Sequence, residues 1–386
     1  MGYNKILLIK KILSIMLLKE ILRFTDDNTE DRNEAPTLEA IGITQEVLNG
    51  VDKWARSKTN YGKPASYIPE LLKYDIKNTA LAVGDLHGNI LTAGNAPTFK
   101  ASIQSVIKPF LYAYALEKGT PPDEISSIEA TSLQFNIDKV LQPNSGITRP
   151  GHPLNNAGAI SSAGAIENFN DFLEFMRALT GSPDLNIIED IYLSESSTNY
   201  NNRAMMYRLV DTGRFRSATR GIKALDNYTK ACSIGLNVSE LLQASLVFAS
   251  GGVKNGKRLI SQNNVVRAIN VMNSFGLYEN TGALSLLASG TRALSCKSGV
   301  GGFIINIDPF RGASCSYNPL LDVSGNSVYG KLTLVILNHL LSSAHAMRLD
   351  DQETLRLLSC EYEVSIENKY FCYGYKSEKI DIDNSL

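Results

Sequence analysis

The chain has 386 residues, with 38 Lys and Arg against 39 Asp and Glu, for a formal net charge of −1. That balance excludes the electrostatics of a nucleic-acid binder, which needs a basic surplus or stripe. Hydrophobic residues at 44% and charged residues at 20% describe a globular chain, long enough for one large domain or two to three smaller ones, with a core that needs no disulfide or metal.

Residues 5–24 (KILLIKKILSIMLLKEILRF) carry Lys10, Lys11 and Lys19 among apolar residues. The longest charge-free run between these lysines is far too short to span a bilayer, and no signal-peptide cleavage site follows it. Segment 1–24 reads as an amphipathic leading helix outside the core, with membrane-surface binding as the alternative. Residues 25–37 (TDDNTEDRNEAPT) read as an exposed acidic linker.

Val47, Leu48, Val51, Trp54 and Ala55 recur at helical spacing and predict a helix near 44–57. The runs at 79–83 and 90–93 around GDLHGN predict a β-hairpin. Helices are expected at 105–118, 168–180, 199–213, 224–234 and 239–250, with Gly213, Gly235 and Gly251 as stops. Strands are expected at 284–288, 293–297, 302–307 and 313–317, and a last helix at 327–345. A sheet built from both ends of the chain, with helices inserted between, is an α+β arrangement. The main domain is expected over 38–347, its sheet part from 38–104 and 251–347 and its helical part from 105–250, before a tail at 348–386.

The five Cys are an odd number at wide spacing with no C-x-x-C, which argues against a disulfide framework and for a reducing, cytoplasmic setting. His87, His152, His339 and His345 lack metal-ligand spacing, so no zinc site is expected, and His339 reads as a packed histidine in an apolar helix.

Chemistry concentrates in two places. Ser105 and Lys108, three apart at the start of a predicted helix, would share one face. A dehydrated Lys there can lose its proton and act as base toward the Ser hydroxyl, beside helix N-terminal N–H groups suited to an oxyanion. The second place is Lys297-Ser298-Gly299 on a predicted strand, followed by Val300-Gly301-Gly302. Serine β-lactamases and penicillin-binding proteins combine S-x-x-K with K-[ST]-G on a strand lining the site. The glycines would let a substrate carbonyl approach the backbone.

In order along the chain stand YIPEL at 67–71, IQSVIK at 103–108, PLNNAGAI at 153–160, SESSTNYNNRA at 194–204, Tyr228 with Cys232 and Ser233, GLY at 276–278, KSGVGG at 297–302 and GNSV at 325–328. With these segments the sequence resembles the serine-dependent glutaminases over about residues 45–345. The resemblance implies a serine β-lactamase/DD-peptidase-like fold, an antiparallel sheet flanked by helices with an inserted all-helical subdomain. It implies hydrolysis of L-glutamine through a γ-glutamyl-serine intermediate, with Ser105 as nucleophile, Lys108 as base, and Tyr67 and Tyr278 as nearby hydroxyls. Asn156, Glu195, Asn202, Tyr228 and Tyr278 would bind substrate, and Ser105 and Val300 would supply oxyanion-hole N–H groups. No cofactor or metal is implied, and a homo-oligomer, dimer or tetramer, is expected. Glu195 suits an α-ammonium, and the neutral Asn and Tyr donors suit a carboxylate and an amide. If the segment is helical, Glu195 and Asn202, seven apart, face the same way. Three departures stand out: Ile107 where the family usually has a small residue, often Ser, Ala101 near a usual Phe in a longer approach to Ser105, and EATS at 129–132 without the family's Pro and Gly. Two alternatives stay open: another β-lactamase-like serine hydrolase, or a non-catalytic amino-acid-binding relative.

Overall fold

The computed structural model describes residues 35–127, 149–282, 284 and 295–346, with side chains up to 338. The folded body begins at Pro36. The leading segment, most of the linker, the tail, the 129–132 departure and the side chain of His339 lie outside the described residues.

Helix α1 spans Gln45–Lys58, capped by the Thr44 side chain, which accepts from the Val47 N–H. The hairpin follows as β1 (Ala80–Asp85) and β2 (Ile90–Gly94). A two-residue strand, β3 (Ala101–Ser102), leads to a 3₁₀ turn at Gln104–Ile107 and then to α2 (Lys108–Glu117). The expected single helix at 105–118 is therefore two pieces. Pro109 stands in the first turn of α2, where its missing N–H has no intrahelical partner to lose.

The helical block continues with α3 (Asn156–Ala163), α4 (Phe169–Thr180), α5 (Glu189–Thr198), α6 (Tyr200–Asp211), α7 (Ala218–Cys232) and α8 (Val238–Ala249). Short strands β4 (Asn186–Ile187) and β5 (Ile234–Leu236) pair with each other, and β5 pairs with β3. Gly235 lies inside β5 and is no helix stop, whereas Gly213 and Gly251 take positive φ after α6 and α8. Strands β6 (Val253–Lys254) and β7 (Lys257–Arg258) make a small hairpin before α9 (Gln262–Phe275). Then come β8 (Ser295–Ser298), β9 (Phe303–Asp308), β10 (Gly312–Tyr317) and α10 (Val328–Ala346). The strand expected at 284–288 falls outside the described residues except for Leu284, which is helical.

The main sheet has the order β2-β1-β10-β9-β8, antiparallel throughout. Alternation decides what covers each face. Leu81 and Val83 of β1 pack with Leu48 and Val51 of α1 and Ile336 and Leu337 of α10. Ala80 and Ala82, with Phe303, Ile305 and Ile307 of β9, join the larger core that holds α2 and α8. Both faces are dry, so β1 and β9 read as nearly continuous apolar runs.

Asp52 ties the first face together. It is buried on α1, accepts from Tyr329 of α10 at 2.8 Å and from Thr79 at 3.3 Å, and pairs with Arg56 at 2.8 Å. Asp52→Ala strands the buried Tyr329 hydroxyl and should lower unfolding free energy by about 2–4 kcal/mol. Arg56→Ala, at a half-exposed guanidinium, should cost under about 1 kcal/mol. Urea denaturation of both variants checks the contrast.

Candidate active site

Ser105 sits in the 3₁₀ turn between β3 and α2, buried. Several contacts fix that turn. The Ile103 N–H donates to Ile234 O at 2.9 Å, and the Ser102 N–H donates to the Tyr74 hydroxyl at 3.1 Å. Tyr74 packs edge-on against Phe99, Phe99 against Tyr317, and Tyr317 against Phe303 of the sheet. Gln104, just before Ser105, takes φ +49°, a left-handed conformation that costs residues with a Cβ roughly 1–2 kcal/mol.

The end of β8 lies against this turn. A Cβ on Gly301 would come within 2.3 Å of Ser102 O, and one on Gly299 within 2.8 Å of Ile103 O. These glycines let two backbones run side by side. That is a different reason from substrate approach, and it brings the Val300 peptide to the backbone of Ser105.

Lys108 begins α2 and is fully buried, with Nζ donating to Asn156 Oδ1 at 2.7 Å. Burial pushes its pKa down to about 7, against the smaller opposing pull of Cys232 and Glu195. Asn156 is the first residue of α3; its neighbour Asn155 is the cap, accepting from the Gly158 N–H. Asn156 also accepts from Tyr228 at 3.3 Å and donates through Nδ2 to Asn202 Oδ1 at 3.0 Å.

Glu195 lies buried on α5, and burial raises its pKa to about 7, opposed by its hydrogen bond from Gln104 and by Lys108. Gln104 Nε2 donates to Glu195 Oε2 at 3.4 Å. The segment from Glu195 to Asn202 is not one helix: α5 ends and α6 begins at Asn199. Asn202 still reaches the site from the first turn of α6, through Asn156.

Tyr278 is buried, takes φ +55°, and shares a hydrogen bond with the Ser105 side chain while donating to Ser298 O at 3.2 Å. Burial first, against those two hydrogen bonds, leaves its pKa at about 12. Burial also holds Tyr228 and the Cys232 thiol well above their ordinary values. Lys297 is buried with its Nζ 4.3 Å from the Tyr278 ring centre, donating to Ser298 O at 2.6 Å, and burial drives its pKa well down. Tyr67 is half-exposed at 51%, yet burial around its hydroxyl, then Glu195 and Tyr278, raise its pKa well above the phenol range. Val300 packs beside Ile68, Leu71 and Ile191.

The structure thus gathers Ser105, Lys108, Asn156, Glu195, Asn202, Tyr228 and Tyr278 into one dry cluster, with Tyr67 and Val300 at its edge. Sequence reasoning missed Gln104, whose only signal was its place beside Ser105. Ile107, the departure from the family's Ser, is fully buried in the core. Among the described residues no group of three or more His, Cys, Asp and Glu could hold a metal, and no helix is long and apolar enough to cross a membrane.

A family profile described as Glutaminase matches residues 62–345. A glutaminase of Colwellia psychrerythraea is 38% identical over 296 residues, covering 74% of this chain and 92% of that protein. A glutaminase of Clostridioides difficile is 33% identical over 311 residues, covering 78% and 96%. The solved structure of probable glutaminase ybaS matches with a TM-score of 0.69 at 30% identity, covering 77% of this chain and 97% of that one.

Proposed function

The chain belongs to the glutaminase family and hydrolyses L-glutamine to L-glutamate and ammonia; from that premise we propose that the reaction runs through a γ-glutamyl ester on Ser105. One observation carries this reading: a lysine dry enough to be neutral near pH 7 stands three residues after Ser105, while Tyr278 bonds the same Ser side chain.

Neutral Lys108 takes the Ser105 proton as Oγ attacks the side-chain amide carbon. The Ser105 and Val300 N–H groups receive the oxyanion. The proton passes to the departing nitrogen through the Tyr278 hydroxyl, with Tyr67 at the mouth, and the C–N bond breaks to release ammonia. Water then attacks the ester, Lys108 takes its proton, and glutamate leaves as Ser105 is reprotonated. Glu195 receives the substrate's α-ammonium, and Asn156, Asn202 and Tyr228 donate to its polar groups. We also infer a cytoplasmic homo-oligomer. The buried free thiols of Cys232, Cys296 and Cys315 suit a reducing compartment, and assembly as a dimer or tetramer rests on the family resemblance.

Ser105→Ala and Lys108→Ala should each abolish ammonia release from glutamine. Retention of more than about a tenth of wild-type kcat by Ser105→Ala, a far smaller loss than removing a nucleophile causes, sinks the mechanism.

The acid side of the pH profile follows from two signs. Lys108, lowered to about 7, is neutral only above that pH, and Glu195, raised to about 7, is anionic only above it. Both working forms are lost as pH falls through about 7, so kcat/KM should fall with two protons. Glu195→Gln should reduce that dependence to one proton and lower kcat/KM at pH 8 by at least about tenfold, equivalent to ~1.4 kcal/mol. Rate profiles from pH 5 to 9 decide it; an unchanged two-proton limb in Glu195→Gln removes Glu195 from the account.

A further inference from the structure

The GNSV segment at 325–328 has no part in the chemistry above, yet Asn326 at its centre is fully buried and engaged on three sides. Its backbone N–H donates to Asp322 Oδ1 at 3.0 Å, its Nδ2 donates to Leu277 O at 3.2 Å, and its Oδ1 accepts from Ser298 Oγ at 2.6 Å. Asp322 is itself paired with Lys331 of α10, both side chains being buried. The Ser298 hydroxyl, which a K-[ST]-G strand would offer to a substrate, is therefore committed to Asn326. The Ser298 carbonyl is the acceptor for both Tyr278 and Lys297.

These bonds converge on one strained residue. Tyr278 holds a left-handed conformation, which persists only where surrounding structure over-determines it. On its N-terminal side the Leu277 carbonyl is held by Asn326, and the Leu277 N–H donates to Thr281 Oγ1 at 3.0 Å. On its C-terminal side Asn280 Nδ2 donates to Ser324 Oγ at 2.9 Å. Its hydroxyl is held by the carbonyl of Ser298, the residue whose side chain Asn326 fixes. The 322–327 loop thus holds Tyr278 through Leu277 before it, Asn280 two residues after it, and its hydroxyl's acceptor.

We propose that Asn326 is a positioning residue for the known reaction: through Leu277 and Ser298 it holds the Tyr278 hydroxyl on Ser105. This rests on the role given to Tyr278 above. Asn326 touches no reacting atom, and its effect is transmitted wholly through Tyr278.

A double-mutant cycle tests it on the full chain with glutamine as substrate. Ser298→Ala and Asn326→Asp should each lower kcat by at least about tenfold, because small misplacements of a reacting group are costly. For Ser298→Ala the melting temperature should stay within about 4 °C of wild type, the shift expected for one lost hydrogen bond in a chain of this size. Ser298→Thr keeps the hydroxyl and should restore kcat. In the Tyr278→Phe background, adding Ser298→Ala should lower kcat by less than about twofold, since the two changes act through one group. The proposal is overturned if Ser298→Ala keeps more than about half of wild-type kcat, or if its full loss persists beside Tyr278→Phe. Should Asn326→Asp fail to fold, the Ser298 pair carries the test alone. The Ser105→Ala control separates the two readings: activity in that variant sinks the serine mechanism, whereas inactivity there with an indifferent Ser298→Ala sinks only the positioning role.

Discussion

A lysine taken out of water gives up its charge far more readily than one at the surface, and Lys108 is taken out completely. Much of the architecture around the site keeps it dry. Helix α2, which it opens, packs against α3 and α9, and every residue from Gln104 to Leu116 is buried. One partner of the Lys108 side-chain nitrogen, at 2.7 Å, is an amide oxygen, Asn156 Oδ1, which accepts from an amine without adding an opposite charge. Ile107, just before Lys108, is fully buried and adds to the apolar wall. On the proposed mechanism, a base that works near neutrality follows from this burial.

The second constraint is mechanical. The turn that carries Ser105 is short and holds a left-handed Gln104. Three supports hold it: pairing of β3 with β5, the aromatic chain from Tyr74 to Phe303, and the backbone contact made possible by Gly299 and Gly301. The second and third lead back to the five-stranded antiparallel sheet, both faces of which are buried, while β3 and β5 belong to a separate small sheet with β4. On the proposed mechanism, holding Ser105 and Lys108 on elements fixed in this way is what lets the pair keep productive geometry.

Much of this was legible in the sequence because it lies in local patterns. The hairpin, the last three strands and α1, α4, α8 and α10 follow from periodicity and turn residues. Helix α3 did not, since NAGAISSA is buried on every side and offers no amphipathic stripe. Helix α9 did carry a stripe, Val265, Ala268, Ile269 and Met272, and that signal was there to be read. The candidate site residues came from ordered motifs and not from local chemistry: nothing near Glu195 in the chain says that it is buried with Gln104 and within reach of the Lys108 charge. The break at Asn199 and the bond from Gln104 to Glu195 depend on tertiary packing, which short-range patterns do not encode.

The central claim is that Ser105 becomes acylated during turnover. Acid quenching of the enzyme in steady state with saturating glutamine, followed by proteolysis and mass spectrometry, tests it directly. The account predicts the mass of one γ-glutamyl group on the peptide carrying Ser105, lost on incubation without substrate and absent in Ser105→Ala. An adduct on any other residue, or full turnover with Ser105 never modified even when deacylation is slowed by cold, would contradict it.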